Sequence, residues 1–261
     1  MEARAVKRAT LRCGSKQGAC QPLRIETNQQ TAPREAAALA PPWHTAALVA
    51  VMLAVAITGS LLQRAAPPPV SAALPGSSST RIWQQYLPLL LVNGLLVLYV
   101  ARLFRTRNAL PDLVGRLWRR PADAAIDAAF AVLAFALIVA IEALTAPLFA
   151  GRNAAVTALL PSTGAERLTW LFVASVVGAC EELVYRGYLQ TQLGAFTRSA
   201  TLGLVLQAAL FGLAHLEQGA GSALRIAVYG LGFGLLALRR ASLLPGILCH
   251  VGIDVASGLL N

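Results

Sequence analysis

The chain has 261 residues, 56% of them hydrophobic and only 13% charged, with a formal net charge of +10. Soluble domains carry about 25% charged residues, whereas here long uncharged stretches approach the roughly 20 residues that cross a bilayer as a helix. That excludes a soluble globular protein. It also removes nucleic acid as the reason for the basic balance: the arginines cluster at the ends of apolar segments, only Lys7 and Lys16 represent lysine, and no basic groove is interleaved with aromatics.

Residues 1–42 are polar, with Arg4, Lys7, Arg8, Arg12, Lys16, Arg24 and Arg34 set against Glu2, Glu26 and Glu35. No apolar run follows closely enough for a secretory signal. The composition reads as a basic, disordered tail that ends at Pro41-Pro42. Seven apolar segments follow. The first runs from about Ala46 to Leu62 and stops before Arg64 and Pro67-Pro68-Pro69. The second covers Trp83 to Leu103, with Trp83 and Tyr86 placed as interfacial anchors. A basic loop holds Arg105, Arg107, Arg116, Arg119 and Arg120. The third segment spans Ala124 to Phe149, and the fourth runs from near Leu168 into Leu189 or beyond. The fifth, sixth and seventh cover Thr201–Leu216, Ala223–Leu238 and Leu243–Leu260.

The fold expected is all-α, a polytopic transmembrane bundle of about seven helices. With seven spans the tail, the 102–120 loop, Arg198 and Arg239-Arg240 fall on one side. The opposite loops are poorer in charge, with Arg64 and Arg81 in one and Arg152 and Arg167 in the other. The positive-inside rule then puts the N-terminus in the cytoplasm and the C-terminus outside. Cys13, Cys20, Cys180 and Cys249 form no CxxC pair and no zinc-ribbon spacing. A disulfide is not expected in the tail, and Cys180 and Cys249 read as packing residues.

Ionisable groups inside membrane spans are costly and mark function. The last four segments hold few. The fourth carries Glu181, Glu182 and Arg186, the fifth His215, and the seventh His250 and Asp254. Residues four apart share a helix face, so Glu182 pairs with Arg186 on its own helix. Glu181 lies about 100° further round, without a local partner, and an unpaired carboxylate in apolar surroundings is suited to act as a base. By the same spacing Asp254 is placed to orient the His250 imidazole, and Phe211 to wall the ring of His215.

Depth offers an independent check. If the fourth helix continues to about Leu193, Glu181 lies roughly 18 Å from its basic end. On the same reckoning His215 lies about 21 Å in, Asp254 about 16 Å and His250 about 10 Å. A fourth helix ending at Arg186 would spoil that agreement. Other polar residues read more plainly. Asp127 and Glu142, in the third segment, are expected to be interfacial or packing groups. Glu217 follows His215 by two residues, but no HExxH occurs, which excludes a zincin. Gly230 and Gly234 make a GxxxG suited to close helix packing. Ser175 and Ser257 lack a GxSxG context, which argues against a serine protease.

Glu-Glu-x-x-x-Arg, then Phe-x-x-x-His, then His-x-x-x-Asp, in that order on successive membrane helices, resembles the CAAX-protease and bacteriocin-processing family over residues 124 to 261. The resemblance implies an intramembrane endopeptidase. Eukaryotic members trim prenylated CAAX proteins, and bacterial ones are linked to bacteriocin self-immunity and peptide maturation. Carried over by motif, Glu181 is the general base that activates water, assisted by His215. Glu182 and Arg186 support it, Phe211 walls the site, and His250 with Asp254 binds the oxyanion. No cofactor is expected. The alternative is a divalent metal such as zinc on Glu181, His215 and His250. Asp254 departs from the family, where Asn is frequent at this position. An ionised Asp only accepts hydrogen bonds, so either it is protonated or His250 alone donates.

The resemblance also divides the chain: a tail (1–42), two accessory helices with the basic loop (43–123), and a protease core (124–261). The partners implied are a membrane peptide or protein substrate and the bilayer, with no nucleic acid. A dedicated partner protein is a further candidate. The Ala- and Arg-rich composition suggests a bacterial inner membrane. Two other classes stand beside the protease. One is a non-catalytic membrane scaffold or immunity protein. The other is a proton-coupled transporter, against which stands the lack of an inverted repeat of broken helices.

Overall fold

The computed structural model describes residues 38–65, 81–148 and 154–260. Most of the tail expected over 1–42, with Cys13 and Cys20, lies outside them, as does the Pro67–Pro69 run. Among the described residues the protein is helical, without strands. Each of the seven apolar segments forms a helix. Five are long and apolar enough to cross a membrane: α1 (Pro42–Ala65); Ile82–Thr106, whose main part is α2 (Leu87–Thr106); α4 (Pro121–Thr145); Gly164–Thr197; and α9 (Ala220–Arg240). Gly164–Thr197 comprises α6 (Gly164–Glu182), a π-helical stretch (Leu183–Gln190) and α7 (Thr191–Thr197). The remaining two, α8 (Ala200–Leu213) and α10 (Leu244–Leu259), are shorter apolar helices. Short helices α3 (Leu110–Val114) and α5 (Ala154–Leu159) lie in the connections. The protein is an all-α, polytopic integral membrane protein.

Helix boundaries follow local chemistry. Proline occupies the first turn of α2, α3, α4 and α10, where its missing N–H costs nothing. Thr163 and Glu166 form a capping box at the start of α6: Thr163 Oγ1 accepts from Glu166 N at 3.2 Å, and Glu166 Oε2 accepts from Thr163 N at 3.1 Å. Glu166 also accepts from Arg81 and Ser162, which fixes the start of the second span against the start of α6. Ser199 caps α8 through Leu202 N.

Hydrogen bonds tie the basic loops together at one end of the bundle. Arg116 N donates to Ala241 O at 2.7 Å and Leu243 N to Val114 O at 2.9 Å. Gly115 sits between them at φ 77, so close to Ala241 O that a Cβ would collide with it. Asp127 is fully buried here. It accepts from Trp118 Nε1 at 2.8 Å and Arg240 Nε at 2.7 Å. The residue expected to be interfacial or packing is therefore the buried joint between the 116–118 loop, α4 and the end of α9. Gln192 extends this end to the start of α1, accepting from Leu39 N at 2.7 Å and donating to Ala40 O.

Gly164–Thr197 is the central element: half of its apolar window is buried, against 17% for the spans of α2 and α4. Val184, Tyr185, Tyr188 and Leu189 pack there with Val100, Phe104 and Phe211. Outward faces expose Leu95, Leu98, Val132, Leu133 and Leu144, as a lipid-facing surface should. The GxxxG glycines pack tightly, Gly230 against Ala208 and Gly234 against Gln190 and Gln207. Nearby, a Cβ on Gly212 would strike Ala223 O and the Ala227 side chain. Gly212→Leu is therefore expected to destabilise the protein by about 1–3 kcal/mol. Gly232→Leu, on a face with nothing within 4 Å, should leave thermal unfolding in detergent near that of the wild type. Equal melting temperatures for the two variants would disprove the close approach of α8 and α9.

Candidate active site

α6, the π-helical stretch, the end of α8 and α10 bring the singled-out polar residues together. The i,i+4 spacing of Glu182 and Arg186 produces the expected pair, with Arg186 Nη1 donating to Glu182 Oε1 at 2.8 Å. Both side chains are buried. Arg186 is further held by aromatic faces: its Cζ lies 4.2 Å from the Phe211 ring centroid and 5.1 Å from that of Phe233. The attraction is that of a cation for a π face in a dry setting.

Glu182 has a second partner. His250 Nδ1 lies 2.9 Å from the same Glu182 Oε1. An ionised carboxylate only accepts, so Nδ1 carries the hydrogen. Glu182, not the Asp254 expected from spacing, makes the hydrogen bond that orients the ring, while Asp254 Oδ2 stands 3.8 Å from the other nitrogen, Nε2. The single turn between the two residues places them on one face. The hydrogen bond goes instead to α6, because Gly246 leaves the neighbouring surface of α10 bare, and a Cβ there would sit 3.0 Å from Glu182 Oε2. Phe233 stacks on the His250 ring at 5.2 Å between centroids.

His250 Nε2 therefore faces two carboxylates, Glu181 Oε2 at 3.6 Å and Asp254 Oδ2 at 3.8 Å. Neither distance is a direct hydrogen bond. Both separations are within the range of an ion pair with a charged imidazole. Unlike Glu182, Glu181 and Asp254 keep part of their side chains exposed. The backbone of Asp254 is fixed by Trp170, whose Nε1 donates to its carbonyl at 2.8 Å.

His215 lies beyond the last turn of α8, which ends at Leu213, and so not within the helix expected for it. Its Nδ1 is 2.7 Å from Phe211 O. The carbonyl can only accept, so Nδ1 donates, and in the neutral ring Nε2 is the acceptor. Phe211 meets the ring edge-on at 4.9 Å, the wall its spacing suggested.

Two cavities meet these residues. One of about 410 Å³ is lined by Glu181, Tyr185, His215, His250 and Asp254 together with apolar residues of α1 and α2. The other, of about 830 Å³, is lined by His215, His250 and Asp254 and extends along α4 and α9. Both volumes suit a ligand-sized occupant. Among the described residues no three His, Cys, Asp or Glu side chains converge as metal ligands. Cys180 and Cys249 are buried and unpaired by disulfide.

Residues 163–256 match the family model described as type II CAAX prenyl endopeptidase Rce1-like. Over this segment, about a third of its length, the chain is similar to that family. The Rce1-like segment begins at the cap of α6 and ends within α10, so it contains the Glu-Glu-x-x-x-Arg, Phe-x-x-x-His and His-x-x-x-Asp motifs, while α1, α2 and α4 lie outside it. No curated protein and no solved structure matches the chain.

Sequence reasoning missed several parts of this site. Neither charge nor spacing singles out Trp170, Tyr185 and Phe233, and only the fold turns them towards the motifs. Gly246 lies four residues before His250, the one-turn spacing that could have marked it. The π-helical stretch that holds Arg186 has no compositional signature.

Proposed function

We propose that this protein is an intramembrane endopeptidase in which Glu181 activates water for attack on a peptide carbonyl. The match of residues 163–256 to an endopeptidase family supports a CAAX-type intramembrane protease. The observation that carries the mechanism is the carboxylate pair on His250. Glu182 holds Nδ1, which leaves Nε2 facing Glu181 at 3.6 Å and Asp254 at 3.8 Å.

In this mechanism a water rests between Glu181 and the Nε2 lone pair of His215. Its oxygen attacks the carbonyl carbon while Glu181 takes the proton. The carbonyl oxygen gains the negative charge and needs a donor. His250 in its cationic form supplies one from Nε2, because its other hydrogen is committed to Glu182. Collapse of the intermediate breaks the C–N bond, and the proton on Glu181 passes to the leaving nitrogen. Glu182 and Arg186 position His250 without touching the substrate. Asp254, which lines both cavities, supplies no donor of the kind Asn would provide; its carboxylate stabilises the cationic ring instead.

The mechanism runs without a metal. We place the protein in a bacterial inner membrane, with the N-terminus and the basic loops on the cytoplasmic side. The test is cleavage of a panel of membrane-spanning and lipid-modified peptides by the purified protein in detergent, with and without chelator. Cleavage is expected to persist after chelation. Loss on chelation with recovery on added zinc would overturn the metal-free mechanism, and the candidate ligands would then be Glu181, His215 and His250.

A further inference from the structure

Away from the motifs, the larger cavity carries a second polar cluster. Arg225 and Tyr229 stand one turn apart on α9, and both reach Glu142 on α4. Arg225 Nη1 lies 3.0 Å from Glu142 Oε2, and the Tyr229 hydroxyl donates to Glu142 Oε1. Ser222 holds the guanidinium from behind, accepting from Arg225 Nη2 at 3.3 Å. A cation and a hydroxyl thus address the two oxygens of one carboxylate. The three residues line the same cavity as His215, His250 and Asp254.

Exposure separates the host from the guest. The Arg225 side chain is 17% exposed and the Glu142 side chain 47%. The donors are fixed in the wall of the cavity, whereas the carboxylate can turn away. An acidic group entering an apolar cavity must find charged or polar donors to offset its desolvation, and charge-assisted hydrogen bonds from arginine are the strongest available.

We propose that Arg225 and Tyr229 form a receptor for a peptide carboxylate, with Glu142 as its resident stand-in. The inference rests on the protease reading and deepens it. Displacement of Glu142 anchors an acidic part of the substrate or product in the larger cavity, beside His250. Arg225 and Tyr229 then determine specificity and take no part in bond breaking.

Binding tests this without turnover. The purified full chain in detergent is titrated calorimetrically with Ala-Val-Leu as the free acid, the same peptide as its C-terminal amide, and Ala-Val-Glu amide. The free acid is expected to bind about ten-fold more tightly than the amide. Arg225→Gln should abolish that difference while leaving the affinity of the amide unchanged. Glu142→Gln should tighten the acid alone. A merely structural ion pair would shift all the peptides together or none. Ala-Val-Glu amide binding like the acid would assign the receptor to acidic side chains as well as chain ends. Equal affinities for acid and amide, no binding of any peptide, or an Arg225→Gln variant that weakens acid and amide alike would overturn the proposal. Those results leave the protease reading intact, since it stands on cleavage and on Glu181.

Discussion

Replacement of Glu181 by glutamine is expected to lower the rate of peptide cleavage by on the order of 10²- to 10⁴-fold, the usual contribution of a positioned general base. The substitution keeps the shape of the side chain and removes its capacity to take a proton. The partner seen for the Glu181 carboxylate is His250 at 3.6 Å, too far for a hydrogen bond. Loss of the charge therefore leaves little of the packing disturbed, and thermal unfolding should stay close to that of the wild type. A stable, inactive protein separates chemistry from folding. A Glu181→Gln variant that cleaves within a few-fold of the wild-type rate would refute the assignment of the base, whereas a wild-type protein that cleaves nothing would revive the reading of a non-catalytic membrane scaffold.

Arg186→Met should have the opposite character. Both partners of the Arg186–Glu182 pair are buried, and removal of one partner of a buried pair costs about 3–5 kcal/mol, because the other charge stays behind uncompensated. A marked fall in the melting temperature in detergent is the expected result, with loss of cleavage beside it. The double variant Glu182→Leu/Arg186→Met should recover part of the stability, since apolar replacement of a whole buried pair is often neutral. It should still be inactive, because His250 has then lost the acceptor on Nδ1. A single variant that unfolds at the wild-type temperature would show that the pair contributes nothing to the fold.

Glu182–Arg186 also shows what could be read from sequence and what could not. Spacing along one helix identifies i,i+4 partners, so that pair was legible, as was the wall that Phe211 makes for His215. The same rule brought Asp254 to within 3.8 Å of the His250 imidazole but did not report where the ring's hydrogen bond goes. The competing partner, Glu182, is 68 residues away on another helix, and no periodicity within α10 reports on α6. Asp127 illustrates the same limit. Its apolar neighbours place it in a membrane helix, but Trp118 and Arg240 reach it only after two loops have closed. Five of the seven apolar segments were visible because bilayer thickness imposes length and composition on each, and the two shorter ones by their uncharged runs alone. The end of α8 was less so: His215 continues an apolar run, and the helix stops at Leu213 all the same.

The π-helical stretch Leu183–Gln190 has a mechanical meaning as well. On one side of it stand Glu181 and Glu182. On the other, Gln192 holds the entry to α1, and within it Tyr188 is bonded to Thr45 at 2.9 Å. The wider winding sets the rotational phase between these two groups, as a keyed shaft sets the angle between the cams at its ends. Removal of one residue from the stretch would turn one group against the other by about 100°. With Tyr188 and Gln192 still anchored to the start of α1, Glu182 would swing off His250, and the site would be dismantled from a distance with every motif residue still present.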